Sequence, residues 1–337
     1  MAEPTAIRRN VRQQLAGLLQ PRVMNWLLIP IMALLIWLPG NVNAYWVRVL
    51  TGVFMMAAVA QSFNIIMGLA GYLAFGHTVF FGLGAYAAAT LMHHFGISYW
   101  IGLVFAAVIP AIYAFLFGLV LLRLRSQYFA VATIGVLYGT RELVINLRKI
   151  TLGSSGLVVP SVFGSPREVV VGYYMLMLAL MVIATLTVWW ITRNRFGYGL
   201  RAIKSDEDAA RVMGIPTMRY KVLAWVIAAA VAGVAGGVFA GSMSYLEPGP
   251  VFSITTVVKA FAMLLIGGAG SVFGPVIGAF LFGLASEFLW GAFIDYHMLI
   301  LGALIVVITL LFPKGISDLF AQFRSRLAGT VEKGGDR

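Results

Sequence analysis

Long apolar runs separated by short polar breaks occupy most of the chain. A helix needs about 20 mostly apolar residues to cross a hydrocarbon core roughly 30 Å thick, and most of the runs approach or exceed that length. We interpret each run as one spanning helix, so the pattern predicts an all-α, polytopic membrane protein with about 8–10 transmembrane helices. The predicted spans are 24–39, 45–67, 70–93, 98–122, 127–146, 169–192, 220–245, 254–269, 275–292 and 296–313.

Composition supports the membrane assignment and narrows the chemistry. Of the 337 residues, 61% are hydrophobic and only 11% are charged, whereas soluble domains carry about 25% charged residues. The sequence has no cysteine, which excludes disulfides and cysteine-ligated metals. It also lacks a cluster of histidines or acids suited to a metal, and paired acids placed for acid–base chemistry. We therefore predict no metal site and no membrane-embedded enzyme.

The basic residues predict an orientation. The formal net charge is +12, but the bases fall in short segments between apolar runs, which favours cytoplasmic loops over a nucleic-acid-binding face. We predict a basic cytoplasmic segment 1–23, a transmembrane domain 24–314 and a cytoplasmic tail 315–337. A signal peptide cleaved near Val42–Ala44 is the alternative to an uncleaved first span, which we favour because the basic region is long. The exceptions to the charge bias are Arg148, Lys149 and Arg167.

Two glycine-rich segments, 68–86 and 267–280, resemble distant copies of each other. Each has glycines at or near four-residue spacing, followed by Gly-Ala and an aromatic residue. About five spans separate them, so we predict an inverted five-plus-five repeat with helices broken at Gly68–Gly71 and around Gly267–Pro275. Such breaks line substrate paths in transporters, while the simpler interpretation is close packing between helices.

Polar and glycine residues inside the spans are the candidates for a translocation pathway, because polar groups in a membrane are costly and usually functional or paired. Hydrogen bonding across helices is the favoured alternative for Gln61 and Asn64, as is a structural role for His77. Lys259 would attract a carboxylate if it faces the path; otherwise it would extend outward or pair with Glu142 or Glu287. The candidates are Gln61, Asn64, Gly71, Gly76, His77, Glu142, Lys259, Gly267, Gly268 and Gly270.

The charged segment, residues 193–221, is the one substantial hydrophilic stretch between two apolar runs. Its pattern predicts a short helix over Lys204–Arg211 that starts at Ser205, where acidic residues favour the helix dipole. Gly214 and Pro216 should end this helix. We predict a docking surface for a soluble partner, with a solvated connector as the alternative. The proposed docking residues are Arg201, Lys204, Asp206, Glu207, Asp208, Ala209, Ala210, Gly214 and Ile215.

A family resemblance enters at this segment. Asp208-Ala-Ala-x-x-x-Gly214 resembles the Glu-Ala-Ala-x-x-x-Gly signature of bacterial ATP-binding-cassette (ABC) importer permeases, with Asp in place of Glu. The surrounding sequence is similar to the branched-chain amino acid permease family in particular, over roughly residues 50–320. The matching motifs are Gly199-Leu-Arg-Ala-Ile-Lys204, Met213-Gly-Ile215, Gly68-Leu-Ala-Gly-Tyr-Leu-Ala-Phe-Gly-His77, Leu122-Arg-Leu-Arg-Ser-Gln-Tyr-Phe-Ala130, Gly153-Ser-Ser-Gly-Leu157, Leu265-Ile-Gly-Gly-Ala-Gly-Ser271, Gly274-Pro275 and Phe312-Pro-Lys-Gly315.

The resemblance implies a fold like that of type II ABC importers and a permease subunit in a bacterial inner membrane. It also implies a second homologous permease, two cytoplasmic ATP-binding subunits docked on the charged segment, a periplasmic substrate-binding protein and surrounding lipid. The implied cargo is a branched-chain amino acid, with urea, aromatic or short carboxylic acids as alternatives. The sequence has no Gly-x-x-x-x-Gly-Lys-[Ser/Thr] phosphate loop, so ATP and Mg are expected on the partner subunits and no cofactor on this chain.

A stand-alone secondary transporter is the competing function. Inverted repeats and broken helices occur there too. Such proteins usually place ion-coupling acids near the middle of the membrane, and this sequence has few acids in its apolar runs. A solitary transporter also has no need of the Asp-Ala-Ala-x-x-x-Gly segment.

Overall fold

The computed structural model describes residues 30, 32–160, 162–292, 299 and 302–303. The predicted terminal segments 1–23 and 315–337 and nearly all of the last predicted span lie outside these residues, as does much of the first. The described helices are α1 Ala44–Phe63, α2 Thr78–Phe95, α3 Tyr99–Leu121, α4 Ser126–Asn146, α5 Arg148–Thr151, α6 Pro166–Arg193, α7 Arg195–Ser205, α8 Glu207–Val212, α9 Thr217–Ser242, α10 Pro248–Val251, α11 Ile254–Gly267 and α12 Gly274–Ala292.

The predicted spans between residues 45 and 292 each correspond to a helix, which confirms the all-α polytopic fold. Six helical stretches in the described chain are long and apolar enough to cross a membrane: Ala44–Leu69, Tyr99–Leu121, Ser126–Asn146, Pro166–Arg193, Thr217–Ser242 and Pro248–Gly267. The third predicted span was wrong at its start, because its helix begins at Thr78 rather than at residue 70. Gly71, with φ +79°, turns the chain there, and residues 71–74 are not helical.

Helix α9 lies at the centre of the described bundle and packs against α1, α2, α3 and α6. Glycines allow the close approach: a Cβ added at Gly84 would lie 2.0 Å from the carbonyl oxygen of Gly233, and one at Gly236 would lie 1.9 Å from that of Phe81. Helices in a membrane gain little from apolar burial against each other, so tight backbone contact through small residues provides much of the packing attraction. The many glycines of this helix therefore serve the fold.

The bundle has two chemically different ends. At one end, Lys221 donates its Nζ to the carbonyl oxygen of Leu122 at 2.8 Å, and Ser126 donates its hydroxyl to that of Gly71 at 3.2 Å. The charged segment, the α3–α4 connection and the break after α1 therefore lie together. At the opposite end, a two-residue strand β1, Leu157–Val158, pairs antiparallel with β2, Tyr245–Leu246.

The two glycine-rich breaks that were predicted from the sequence contact each other. The helical run of α1 continues as a π-helical turn, Asn64–Leu69, so the first break begins at Ala70 rather than at the predicted Gly68 and continues to His77. The second break, residues 268–273, contains Gly268 and Gly270 with φ +106° and +88°. The Gly270 amide donates to Asn64 Oδ1 at 2.8 Å, so both breaks belong to one crossing point. The inverted symmetry between them stays a prediction.

Candidate functional site

The charged segment folds into two short helices. The prediction of one helix starting at Ser205 was wrong, since Ser205 is the last residue of α7 and its hydroxyl donates back to the Arg201 carbonyl at 3.1 Å. The backbone is extended at Asp206, whose Oδ1 accepts from the amides of Asp208 and Ala209, both at 2.9 Å. Asp is as good an N-cap as Ser. Because Ser205 and Asp206 are adjacent, the sequence alone did not show which of them begins α8.

The predicted end of α8 at Gly214 is confirmed. Gly214 has φ +84°. Its amide donates to the carbonyl oxygen of Arg211 at 3.0 Å, and the Ile215 amide donates to the carbonyl oxygen of Ala210 at 3.1 Å. These two bonds form a Schellman motif, which needs a residue in the left-handed region. A Cβ at Gly214 would meet no atom within 4 Å. Glycine is therefore favoured here by its backbone conformation.

The exposed tip of this segment carries apolar side chains that the sequence reasoning did not include. Val212 is 89% exposed and Met213 is 72% exposed. They lie beside exposed Asp208 and Ala209, whereas Ala210 is fully buried against the bundle. Large apolar side chains at the end of a polar loop are typical of a protein-binding surface. Their position in the sequence, just before the left-handed Gly214 that ends α8, was the feature that could have indicated their exposure.

A buried network joins α8 to the rest of the bundle. Lys221, only 3% exposed, donates from Nζ to Glu207 Oε1 at 2.7 Å and to the Tyr72 hydroxyl at 2.9 Å. The Tyr72 hydroxyl donates to Glu207 Oε2, and Arg211 donates to Glu207 Oε1 at 3.3 Å. Glu207 was predicted as a docking residue, but the structure places its carboxylate on the inner side of α8. Sequence spacing gave no signal for Tyr72, which lies 135 residues away.

The electrostatics of this network favour the charged pair. Burial alone would raise the pKa of the Glu207 carboxyl, but the hydrogen bonds from Lys221 and Tyr72 and the nearby positive charges outweigh it, so the pKa is lowered. Burial, and then the hydrogen bond to Glu207, raise the pKa of Tyr72. At neutral pH Glu207 is therefore ionised and Tyr72 keeps its proton. The three polar groups form one satisfied cluster, which holds α8 in a fixed place.

A second connection runs from α7 to the first glycine break. Lys204 donates from Nζ to the carbonyl oxygen of Gly68 at 2.8 Å. Although the residue as a whole is exposed, partial burial of its ammonium, and then the Arg201 charge, lower the pKa of Lys204. A cation is favourable at this position because it lies at the C-terminal end of the α1 run, where the helix dipole is negative. The charged segment is thus attached directly to the crossing of the two breaks.

Several predicted pathway residues are structural contacts at that crossing. Gln61 and Asn64 are fully buried. Gln61 Nε2 donates to the carbonyl oxygen of Val272 at 2.6 Å, and Asn64 Nδ2 donates to that of Ser271 at 2.8 Å. His77 Nε2 lies 2.9 Å from Ser62 Oγ, and the His77 ring contacts the rings of Phe63, Phe80 and Trp225. These contacts agree with the helix-bonding interpretation. A role in lining the pathway stays a prediction for each of them.

The glycine candidates mark close approaches and turns. A Cβ at Gly76 would lie 1.8 Å from the Thr133 carbonyl oxygen, and one at Gly267 would lie 1.8 Å from that of Gly274. Gly71, Gly268 and Gly270 have positive φ angles. Backbone geometry accounts for glycine at all five positions.

Glu142 and Lys259 lie apart from the crossing. Glu142 is exposed on α4, and Asn146 donates to its backbone carbonyl rather than to its side chain. Lys259, half-buried on α11, lines an open cavity together with Glu287. Within the described residues Lys259 forms no ion pair, so neither of the predicted pairings with Glu142 or Glu287 is found at contact distance.

Comparisons with known proteins identify the family of this chain. A family described as "Branched-chain amino acid transport system / permease component" matches residues 45–309. The chain is 30% identical over 315 residues to the high-affinity branched-chain amino acid transport system permease protein LivM of Escherichia coli (strain K12), covering 86% of this chain and 74% of that protein. It is 29% identical over 286 residues to LivH of the same strain, covering 77% of this chain and 90% of LivH.

A further relative and one solved structure extend the comparison. The chain is 28% identical over 281 residues to permease protein BraD of Pseudomonas aeruginosa, covering 77% of this chain and 90% of BraD. The solved structure of PsaBC from Streptococcus pneumoniae in complex with Fab is 17% identical, with 84% of this chain and 97% of that chain covered. Its TM-score of 0.44 is too low to establish a shared fold.

The family match spans most of the described chain, and LivM is similar over most of its own length. The long apolar helices agree with a multi-pass membrane protein. The chain therefore belongs to the family of permease components of branched-chain amino acid transport systems.

Proposed function

We propose that this chain is one permease subunit of a binding-protein-dependent ABC importer that carries branched-chain amino acids across a bacterial inner membrane. Its partners are a second homologous permease, two cytoplasmic ATP-binding subunits that hold ATP and Mg, and a periplasmic substrate-binding protein. The chain itself supplies the membrane path and the docking segment, and it hydrolyses nothing.

The observation that carries the proposal is the attachment of the charged segment to the crossing of the glycine breaks. Its outer surface presents Val212 and Met213 to a soluble partner. Its inner surface is bonded through Lys204 to Gly68 and through Glu207 to Lys221. A push on α8 by closing ATPase subunits would therefore reach two broken helices without crossing a flexible loop. Alternating access needs such a connection between the energy source and the moving spans.

Uptake of labelled leucine into cells that lack the gene tests this function. We expect leucine uptake to be lost, to return with the gene, and to be blocked by excess valine. Excess urea or a short carboxylic acid should leave it unchanged. Uptake that persists in the deletion strain, or that urea blocks as well as valine does, would contradict the proposed cargo.

A further inference from the structure

An open cavity of about 470 Å³ lies between helices of the described bundle, at the end far from the charged segment. It is lined by the start of α1 and by residues of α2, α9, α10, α11 and α12. Arg48 precedes Gly68 by 20 residues, which along a helix is about 30 Å at roughly 1.5 Å per residue. Because Gly68 contacts Lys204 at one end of the bundle, Arg48 and the cavity lie toward the other end, which is the periplasmic end under the proposed orientation.

The walls of the cavity combine apolar side chains with cations. Val53, Phe81, Met263 and Phe282 line it and are each buried by their surroundings. Arg48 and Lys259 project into the same space. A second cavity of about 450 Å³ shares Arg48 and continues the space toward α6. These volumes fall in the range of small-molecule sites, about 300–1,000 Å³.

The two cations have no acidic partner within ion-pair distance in the part of the chain that the structure describes. Lys259 is half-buried, and an ionised side chain inside a membrane protein is normally paired or placed to meet a ligand, whereas Arg48 is exposed. Lys259 lies in the apolar helix α11 and lines the cavity. Its ammonium is thus available to an anion that enters the cavity.

One carboxylate completes the arrangement. Glu287 lines the same cavity, and Tyr45 donates its hydroxyl to Glu287 Oε1. This bond orients the carboxylate and leaves Oε2 without a partner among the described residues. Glu287 is not within ion-pair distance of Arg48 or Lys259, so the cations and the anion are held apart across the space.

We propose that this cavity is a transient binding site for the zwitterionic form of an α-amino acid within a single permease chain. Arg48 and Lys259 receive the carboxylate, Glu287 Oε2 receives the ammonium, and the methionine and phenylalanine side chains receive an aliphatic group. Separated charges with an apolar wall match all three parts of such a molecule. The site rests on the proposed function for its place in transport, and it makes this chain a contributor to selectivity.

Cysteine protection in the assembled transporter tests the site, because the chain has no native cysteine. Thr256→Cys places a thiol in the cavity wall, and Asn43→Cys places one outside it on the exposed end of α1. Both are labelled with a water-soluble maleimide in a complex whose other subunits have no accessible cysteine. We expect leucine to protect position 256 and not position 43. Leucinol, which lacks the carboxylate, and 4-methylpentanoate, which lacks the amine, should protect poorly.

Lys259 variants separate binding from a general structural effect. Lys259→Met should raise the leucine concentration for half-protection at least about tenfold, because hydrogen bonds to charged groups contribute that much. Lys259→Arg should keep protection near the wild-type value. Equal protection by leucine, leucinol and 4-methylpentanoate, or protection unchanged in Lys259→Met, would overturn the site.

Leucine transport by the same wild-type complex separates the two proposals. Transport without protection at position 256 would overturn the cavity site and leave the proposed function standing. Protection without transport would support the site and contradict the cargo. Absence of both would contradict both.

Discussion

At the residue scale, the pair Glu207 and Lys221 is the most consequential contact of the charged segment. The side chain of Lys221 is 4% exposed and that of Glu207 is 23% exposed. A buried pair of this kind is weak evidence for net stability, because both ions lose hydration. Removing one partner is different, since the other charge then remains buried without compensation. The pair therefore fixes where α8 lies more than it stabilises the bundle.

Substitution of Glu207 alone, and of Glu207 and Lys221 together, tests whether the pair positions α8 rather than stabilising the bundle. Glu207→Gln leaves Lys221 buried and unpaired, and we expect it to lower the free energy of unfolding by about 3–5 kcal/mol. Glu207→Gln with Lys221→Met should recover much of that loss. The measurement is denaturant unfolding of the solubilised complex. Asp208→Asn is the matched control: it removes an exposed ion pair with Arg211, worth about 0–1 kcal/mol. Additive losses in the double variant would contradict the account.

At the element scale, hydrophobic patterning predicted most of the described fold. The helices α3, α4, α6 and α9 lie within a few residues of the predicted spans, because apolar runs of that length have few other options in a membrane. The break between α1 and α2 was predicted from Gly68 and Gly71, but its width was not. Residues 72–77 are apolar enough to continue a helix, but Gly71, with φ +79°, turns the chain before them.

The same limit applies to the candidate site. Chemistry and spacing identified the charged segment, its stop at Gly214 and the importance of both glycine breaks. They did not reveal that the breaks meet, or that Tyr72 and Lys221 lie under α8, because those contacts join residues far apart in sequence. Asn64 is the clearest example of such a contact. Its side chain bonds the second break twice, since Oδ1 accepts from the Gly270 amide and Nδ2 donates to the Ser271 carbonyl oxygen.

The crossing of the breaks predicts a strong effect for Gly68→Ala. A Cβ there would lie 1.8 Å from Asn64 Oδ1 and 2.7 Å from the Gly270 amide nitrogen, so the two segments would have to separate. We expect leucine uptake to fall at least about tenfold with the chain still present in the membrane, since such overpacking costs roughly 1–3 kcal/mol. Gly135→Ala on α4 is the control, where a Cβ meets nothing within 4 Å. Equal uptake in the two variants would show that the crossing tolerates separation.

At the scale of the whole molecule, the proposed function gives the two ends of the bundle separate tasks. The end with the charged segment offers an apolar tip to a soluble partner, and the opposite end opens a charged cavity. The glycine crossing lies at the end with the charged segment, to which it is bonded, and it is continuous with α1, α11 and α12, which line the cavity. A chain with this arrangement has a physical route from docking to a substrate space.

The docking end is tested by its two exposed apolar residues. Val212→Asp with Met213→Ser should prevent co-purification of the ATP-binding subunits, because a charge would replace the apolar contact. Abundance of the chain in the membrane should stay unchanged, since neither side chain packs against the bundle. Val158→Asp is the control, an apolar residue at the opposite end that is 59% exposed. Normal co-purification of the first variant would move the docking surface elsewhere.

The route from docking to transport passes through Lys204, and its loss should separate ATP hydrolysis from transport. Lys204→Met keeps α8 seated by Glu207 and Lys221 but removes the bond to the Gly68 carbonyl. The ATP-binding subunits should still co-purify and hydrolyse ATP, while leucine transported per ATP in proteoliposomes should fall severalfold, because movement of α7 would no longer be passed to the first break. Arg201→Met, one turn earlier and exposed, is the matched control and should keep the wild-type ratio. If Lys204→Met lowered hydrolysis and transport equally, Lys204 would be part of the docking surface and the connection would run through Glu207 alone.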